Sequence, residues 1–467
     1  MTSTDNDNIR LGLERHDRVR RVELQDPSSS FQPWLSQMNQ HFPRLEDLYL
    51  LSTTTETEET SLMLPETLQA PNLRRLSLHG ICLPTGLSLL SSTIALSALS
   101  LTHIRPSCYF PPRHLATQLK SLPHLEELSI GFAIPIPLPS SEGELLPVPI
   151  PLVTMLALRQ LTFRGMDAYL DNLVNQINAP LLERLTLTLH FDLTFTLVNL
   201  TKFIHRTERF KWLVARVIFN KDGVSIDAEY IEQQGVGKSS FHVNVNCEPV
   251  DWQIDSATQI CGALGKVLST VEDLTVDLRD LGMPSDWEST LEDVAWHELL
   301  LPFIGVKRLH IGSSLTLGLS QALKSDAAGL VLPELEELDV SLKTDDATNA
   351  LTAFIETREL VGRHIDLSVP PEDEEENIRL QNTLAVGRSQ RRAQVNHWQR
   401  KLDDAVKDAV DAERKEKEMW KARALALEEN AVDAKRKEEI WKAHALVLEE
   451  LLKGFDVSLP RPFSGRF

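Results

Sequence analysis

Aromatic residues are few, and long apolar runs are missing from the sequence. Phe, Trp and Tyr make up 6% of the 467 residues, so the interior has to be built mainly from leucine and other aliphatic side chains. No run reaches the eighteen apolar residues that a membrane-spanning helix needs. The polar first ten residues also lack the apolar core of a secretory signal. We therefore expect an intracellular protein, cytoplasmic or nuclear, that is not secreted and does not bind membranes.

Positive charge is scarce as well. The 48 lysines and arginines face 67 aspartates and glutamates, which gives a formal net charge of −19. A nucleic-acid partner is not expected, because phosphates require a basic surface. Only four cysteines occur, Cys82, Cys108, Cys247 and Cys261, and no two of them form a C-x-x-C pair. This spacing predicts reduced thiols.

Signatures of catalysis are missing too. The sequence contains no G-x-S-x-G, H-E-x-x-H, dinucleotide-binding or zinc-type pattern. Residues 235–240 (GVGKSS) are similar to the end of a phosphate-binding loop, but Glu232 stands where that loop needs glycine. Acidic pairs such as Glu126 and Glu127 are interpreted as solvated. We predict no enzyme activity, no catalytic residue, no cofactor and no metal.

What the sequence does contain is a recurring phrase, L-x-x-L-x-L. Its middle leucines Leu48, Leu76 and Leu99 are 28 and 23 residues apart, a step typical of leucine-rich repeats. The last three positions alternate apolar, polar, apolar, as in a strand with one buried face. The copies are 19–24 (VRRVEL), 45–50 (LEDLYL), 73–78 (LRRLSL), 96–101 (LSALSL), 125–130 (LEELSI), 158–163 (LRQLTF), 182–187 (LERLTL), 271–276 (VEDLTV), 306–311 (VKRLHI) and 335–340 (LEELDV).

The phrases alternate with segments that have helical periodicity. Residues 167–177, 256–269, 287–301 and 345–360 are the clearest examples. The fold class that follows is α/β: an irregular leucine-rich-repeat solenoid of strand–helix units, followed by a long C-terminal helix or coiled coil. A doubly wound α/β sheet is the alternative, although it requires no fixed leucine phrase.

Two features make the predicted array irregular. The position three residues after each phrase, where an asparagine ladder often joins the turns, holds residues such as Ile81, Ile104 and His190. The turns must therefore be satisfied differently. Between Leu185 and Leu274 the phrase is interrupted by two strictly alternating segments, 224–230 and 241–247. We expect adjacent strands with one wet face, in a modified section of the array rather than a separate domain.

Composition divides the chain into five parts. We expect a disordered N-terminus at 1–14 and a degenerate leucine-rich-repeat solenoid at 15–370. The solenoid contains the modified section 209–250 and a proline-rich loop at 134–151, which is either a surface insertion or a ligand for a proline-binding domain. An acidic linker at 371–377 ends it. A long helix or coiled coil at 378–453 and a disordered tail at 454–467 complete the chain.

The predicted C-terminal helix carries a repeated tryptophan. Residues 420–429 (WKARALALEE) return as 441–450 (WKAHALVLEE), and Trp398 lies 22 residues before Trp420. Such spacing places one apolar stripe along a helix, and the two interpretations left open are self-association and a solvated helix. The candidate helix-association residues are Trp398, Leu402, Trp420, Leu427, Trp441 and Leu448.

Several segments resemble the repeat region of F-box/leucine-rich-repeat proteins of mushroom-forming fungi. They are 8–24 (NIRLGLERHDRVRRVEL), 179–187 (APLLERLTL), 203–207 (FIHRT), 251–253 (DWQ) and 296–303 (WHELLLPF). In that family an F-box recruits a ubiquitin ligase, and the repeats select the substrate. The resemblance covers most of 8–367 but includes neither an F-box nor the C-terminal helix, so binding to the ligase adaptor is not expected.

Two functions remain open from the sequence. One is a substrate-recognition-type module that binds a protein ligand on the strand face of the solenoid. The other is a structural or oligomeric scaffold driven by the C-terminal coiled coil. Neither interpretation identifies the protein ligand.

The tryptophan spacing generates the first testable prediction. A peptide covering 378–453 should form dimers or larger species in light scattering, because its apolar stripe needs a partner to cover it. Replacing Trp398, Trp420 and Trp441 by glutamate should return it to a monomer. A parent peptide that stays monomeric at high micromolar concentration would favour the solvated helix.

Overall fold

A computed structural model provides the structure of the chain, which divides into two units, Met1–Leu380 and Gln381–Phe467. In the second unit the described residues are 389, 393, 397, 400–401, 407, 414–415, 417–423, 425, 430 and 432–450. In the first unit they are 6–26, 28–52, 62–84, 88–135, 152–190, 192, 194–207, 209–231, 238–279, 293–312, 314–325, 331–340, 345–360 and 362–368.

The first unit is a mixed α/β structure. Its strands are β1 Arg21–Asp26, β2 Asp47–Ser52, β3 Leu62–Met63, β4 Arg75–His79, β5 Ile81–Cys82, β6 Ala98–Ile104, β7 Glu127–Phe132, β8 Val153–Thr154, β9 Gln160–Gly165, β10 Ile177–Asn178, β11 Arg184–His190, β12 Val214–Asn220, β13 Gly223–Ile231, β14 Lys238–Asn246, β15 Asp273–Leu278, β16 Arg308–Ile311, β17 Glu337–Val340 and β18 Asp366–Ser368.

The described helices of this unit range from one turn to sixteen residues. They are α1 Asn6–Glu14, α2 Ser28–Gln37, α3 Ser88–Ser92, α4 Pro112–Leu119, α5 Asp167–Val174, α6 Val198–Arg206, α7 Val250–Ala263, α8 Gly265–Leu268, α9 Asp293–Leu300, α10 Thr316–Ser325 and α11 Asp345–Leu360, with a 3-10 turn at Pro106–Cys108.

Fourteen of the strands form one mostly parallel sheet, in the order β1-β2-β4-β6-β7-β9-β11-β14-β13-β12-β15-β16-β17-β18. The leucine phrases pair in register, so that Leu48 lies opposite Leu76, and Leu76 opposite Leu99. The same alignment continues through the later phrases up to Leu338. Each phrase therefore contributes two buried side chains to two continuous apolar columns, one residue per strand in each.

The interrupted section belongs to the same sheet. Strands β12, β13 and β14 pair antiparallel with one another, and their outer members pair parallel with β15 and β11. Both columns pass through this section without a break. The first continues from Leu185 as Phe241, Ala228, Ala215 and Leu274, and the second from Leu187 as Val243, Ile226, Val217 and Val276. All ten side chains are at most 1% exposed.

The two alternating segments of this section are adjacent strands, as their pattern predicts. Strand β12 was missed, although Ala215, Val217 and Phe219 alternate in the same way. A seven-residue strand without the leucine phrase gives a weaker signal than its longer neighbours.

Backbone hydrogen bonds join the turns that precede the strands, where no asparagine ladder is present in the phrases. A hydrogen bond from the amide of each leading leucine to the carbonyl three residues earlier closes a turn, as in Leu73 to Ala70 and Leu125 to Leu122. In most phrases one carbonyl then accepts two amides of the next: Glu46 accepts from Arg74 and Arg75, and Lys307 accepts from Glu336 and Glu337. Backbone groups thus satisfy the junction, which is what buried peptide groups require.

Helices cover the apolar side of the sheet. Their leucines, including Leu115 and Leu119 of α4 and Leu170 and Leu173 of α5, join the strand leucines in one hydrophobic core. Neighbouring helices are also joined by a buried carboxylate. Asp171 of α5, 3% exposed, accepts from the backbone amides of Asn199 at 2.7 Å and Leu200 at 2.9 Å. It therefore caps the first turn of α6 from outside, because those amides have no partner within the helix.

The structure corrects three expectations. Residues 6–14 are helical rather than disordered, because Ile9 and Leu13, four residues apart, are buried in the core. The helix expected at 167–177 ends at Val174, and Ile177 instead begins the short strand β10. The 256–269 helix begins earlier, at Val250, and is divided in two after Ala263.

The cysteine expectation was wrong for one pair. Cys82 and Cys108 form a disulfide, with their Cα atoms 5.1 Å apart. They are 26 residues apart in sequence, which is close to the spacing of the leucine phrases, and Cys82 follows β4 while Cys108 follows its sheet neighbour β6. Sequence spacing alone does not reveal this, because no short motif links them. Cys247 and Cys261 are free and buried.

Several expectations fall largely outside the described residues. Most of the proline-rich loop is outside them, and so are the acidic linker and the tail. Residues 232–237, which include the start of the segment similar to a phosphate-binding loop, and the first residues of the helix expected at 287–301 are outside them too. In the second unit, residues 432–450 form a continuous helix.

The register predicts a large difference between adjacent positions of β11. Leu185 is fully buried in the first column, whereas Thr186 is half-buried on the opposite side of the sheet. Leu185→Asp should lower the free energy of unfolding by about 4 kcal/mol or more, since it buries an unpaired carboxylate. Thr186→Asp, the matched control, should cost under about 1 kcal/mol. Denaturant unfolding of both variants measures this, and equal losses would contradict the register.

Candidate binding surface

The side of the sheet that faces away from the helices carries mainly polar side chains; we call it the polar face. It is built from the alternate strand positions between the apolar columns. Across five neighbouring parallel strands, the fifth position of the phrase is a hydroxyl residue in register: Ser77, Ser100, Ser129, Thr162 and Thr186. At about 4.8 Å per strand this row is about 19 Å long. A row of uncharged hydroxyl groups therefore crosses the middle of these five strands.

Ion pairs run along the edge of the polar face where the strands begin. Arg75 contacts Asp47 on the next strand through two bonds, Nε to Oδ1 at 2.6 Å and Nη2 to Oδ2 at 3.1 Å. The hydrogen bond from Arg75 and its charge lower the pKa of Asp47. Arg308 contacts Asp273 in the same two-bond geometry. Opposite charges on adjacent strands favour this register over a shifted one.

The acidic pairs in the phrases lie beside arginines. Glu126 and Glu127 border a depression of about 200 Å³ whose other lining residues are Arg159, Gln160, Glu183 and Arg184. Within it Arg159 Nη1 contacts Glu183 Oε1 at 2.6 Å. Glu183 is therefore an ion-pair partner, and Glu126 and Glu127 line the same depression beside Arg159 and Arg184.

Two histidines lie in rows that superficially resemble catalytic triads. In one row His242 lies between Thr186 and Asp227, and in the other His310 lies between Thr275 and Asp339. His310 Nδ1 is 2.9 Å from Asp339 Oδ2, and His242 contacts Asp227.

The surroundings of these rows exclude triad chemistry at them. A triad needs backbone donors that point at the developing oxyanion. Here the neighbouring strand amides are used in the sheet ladder, and the histidines stand on an open face. Both rows are cross-strand polar pairs.

The thiols of the two free cysteines, Cys247 and Cys261, have low reactivity. Burial raises the pKa of Cys247 to about 11 and that of Cys261 to about 12. A thiolate is the reactive form, so neither cysteine is suited to nucleophilic catalysis. Within the described part of the chain, no group of three histidine, cysteine, aspartate or glutamate side chains is arranged to hold a metal ion.

The candidate helix-association residues lie in the second unit. Trp398, Leu402 and Leu427 are outside the described residues. Trp420, Trp441 and Leu448 are 59%, 75% and 58% exposed. Trp441 and Leu448 are seven residues apart in the 432–450 helix and therefore share one side of it.

The polar-face residues were not identified from the sequence. The hydroxyl row could have been found by aligning the phrases, because it occupies one fixed position in them. The pairing of His242 with Asp227 was not, since it depends on the register of an antiparallel pair that has no phrase.

Comparisons with known proteins leave the family open. No protein-family model matches the sequence, and no curated protein matches it significantly. Among the described helices, none is both long and apolar enough to cross a membrane.

Burial and the disulfide together predict how the cysteines react. Without reductant, iodoacetamide at pH 8 should label none of the four in folded protein. After mild reduction it should label half-exposed Cys108 first and leave Cys247 and Cys261 unmodified, because their raised pKa values suppress the thiolate. Peptide mass spectrometry gives the readout. Immediate labelling of Cys82 and Cys108 in unreduced protein would contradict the disulfide.

Proposed function

We propose that the first unit is an irregular leucine-rich-repeat solenoid that acts as a protein–protein interaction module. Its repeated phrase, its in-register strands and its helices on the apolar side support this proposal. Outside the section β12 to β14, the strands of the large sheet lie in the order in which they follow along the chain, as expected for stacked repeats that contact only their neighbours. A doubly wound sheet would carry helices on both faces, whereas the polar face here consists of partly exposed polar side chains.

The observation that carries the proposal is the size and character of the polar face. Fourteen strands at about 4.8 Å span about 60 Å, and three outward positions per strand give a width of about 15 Å. The resulting area of about 900 Å² matches the roughly 800 Å² that each partner contributes to a standard protein interface. An extended surface with a row of hydroxyls and with ion pairs along its edge suits a protein partner better than a small molecule.

The proposal includes two further elements from the sequence. One is kinship with the substrate-recognition domains of ubiquitin-ligase adaptors, which rests on the resemblance of segments such as 8–24 and 179–187. The other is a non-enzymatic role. The open His–Asp rows and the high pKa values of Cys247 and Cys261 favour binding over catalysis.

An oligomeric scaffold is the second candidate function. The large exposed fractions of Trp441 and Leu448 favour it, because exposed large apolar side chains on one side of a helix indicate association. In that case the C-terminal helix binds a second copy of the chain, and the first unit takes no part in the association.

Substitutions on the polar face should separate the two functions. Ser100→Arg with Ser129→Arg places two bulky charges at the centre of the hydroxyl row. Full-length protein carrying both should lose its co-purifying partners by at least about tenfold, which corresponds to about 1.4 kcal/mol. The matched control is Thr117→Arg with Asn172→Arg, two exposed polar positions on α4 and α5, and it should retain the partners.

A chain truncated after 380 decides between the candidates. It should keep the partners if the polar face binds them and lose them if the C-terminal helix does. Retention by the double serine variant with loss in the truncated chain would overturn the proposal. Thermal unfolding of every variant checks that the fold is intact.

A further inference from the structure

Arg164 differs from the other arginines on the polar face. The others have an acidic or amide partner, in the pairs Arg21–Glu23, Arg75–Asp47, Arg184–Gln160 and Arg308–Asp273, or lie opposite one in register, as Arg216 does opposite Asp227. Arg164 is exposed, and it forms no ion pair or hydrogen bond with any residue in the described ranges.

The surroundings of Arg164 are neutral in every direction along the sheet. Gly131 of β7 and Thr188 of β11 lie opposite it in register. The diagonal and same-strand neighbours are Ser129, Ala133, Thr162, Met166, Thr186 and His190. None carries a negative charge. This is unusual because residues 1–380 hold 30 lysines and arginines against 52 aspartates and glutamates, a formal charge of −22.

The position of Arg164 on the sheet matters for binding, because the described residues around it supply no counter-charge. Strand β9 is the sixth of the fourteen, so a partner that lies across the hydroxyl row and extends to the ends of these strands covers Arg164. Burying a guanidinium without a counter-charge is strongly unfavourable. A partner that covers this point must therefore supply an acceptor for it. We propose that Arg164, flanked by the hydroxyls of Thr162 and Thr188, binds a carboxylate of the protein partner, an aspartate or glutamate side chain in an extended segment.

The hydrogen-bond donors at this position fit such a ligand. The planar guanidinium can donate two parallel bonds to a carboxylate, and each neighbouring threonine can donate one more.

Charge selects a carboxylate over a phosphate. The site has one formal positive charge, in a unit whose total is strongly negative. A phosphate dianion gains from one arginine but is repelled by the rest of the unit, whereas a singly charged carboxylate is repelled less. The proposal rests on the proposed function, because it names the group that the bound protein presents to the polar face.

His190 provides an internal reporter. Burial, and after it the charge of Arg164, lower the pKa of this imidazole, so the two groups are close enough to interact. A carboxylate bound at Arg164 neutralises that charge and changes the environment of the ring. The ring resonances of His190 therefore respond to occupancy even where the ligand does not touch them.

The test uses full-length protein and N-acetylglutamate amide, with N-acetylglutamine amide as the uncharged analogue, at constant ionic strength. NMR follows the Nε–H signal of Arg164 and the ring signals of His190. We expect saturable shifts with the glutamate compound and none with the glutamine compound. Arg164→Gln should remove the His190 shift, while Arg184→Gln, an exposed arginine on the adjacent strand, should keep it.

The opposing outcomes are distinct. No saturable shift, equal shifts with both compounds, or a His190 shift that survives Arg164→Gln would overturn the site. Phosphoserine binding tenfold more tightly than the glutamate compound would overturn the choice of carboxylate. If Arg164→Gln keeps every co-purifying partner that Ser100→Arg with Ser129→Arg loses, the carboxylate site fails and the binding face stands. If neither variant loses partners, the proposed function fails.

Discussion

In-register stacking of two apolar side chains per strand is the constraint on which the rest of the first unit depends. A single strand and helix cannot bury such a pair, so every strand needs the next one to cover it. The antiparallel section shows how strict this requirement is. Strands β12 to β14 have no leucine phrase and β13 runs antiparallel to both of its neighbours, yet Phe241, Ala228 and Ala215 occupy the first column in turn. Chain direction changes there, but the buried layer does not.

The same alternation that buries two residues of each phrase aligns the residues between them. Ser77, Ser100 and Ser129 become a row because their leucine neighbours are in register, and Arg75 meets Asp47 for the same reason. The polar face is thus a consequence of the core. Its charges stabilise the register where they pair, and Arg164, which has no ion-pair partner in the described part of the chain, is the site proposed for a ligand carboxylate.

Much of the fold could be predicted from the sequence, because period-two alternation and a fixed phrase are local signals. The strand at Leu48 and the helix Asp345–Leu360 are examples. What could not be predicted depends on contacts between repeats: the Cys82–Cys108 disulfide, the cap that Asp171 places on α6, and the pairing of His242 with Asp227. The neutral surroundings of Arg164 also require the register of three strands, so no motif could have identified them.

Continuity of the apolar columns through the antiparallel section is the central claim, and native-state hydrogen exchange in increasing denaturant tests it most directly. Strands β1 to β11 and β15 to β18 should lose amide protection at the same denaturant concentration, because the columns through β12 to β14 couple them into one cooperative unit. Protection that disappears from β15 to β18 well before β1 to β11 would contradict the account. It would mean that the antiparallel section separates two arrays instead of joining them.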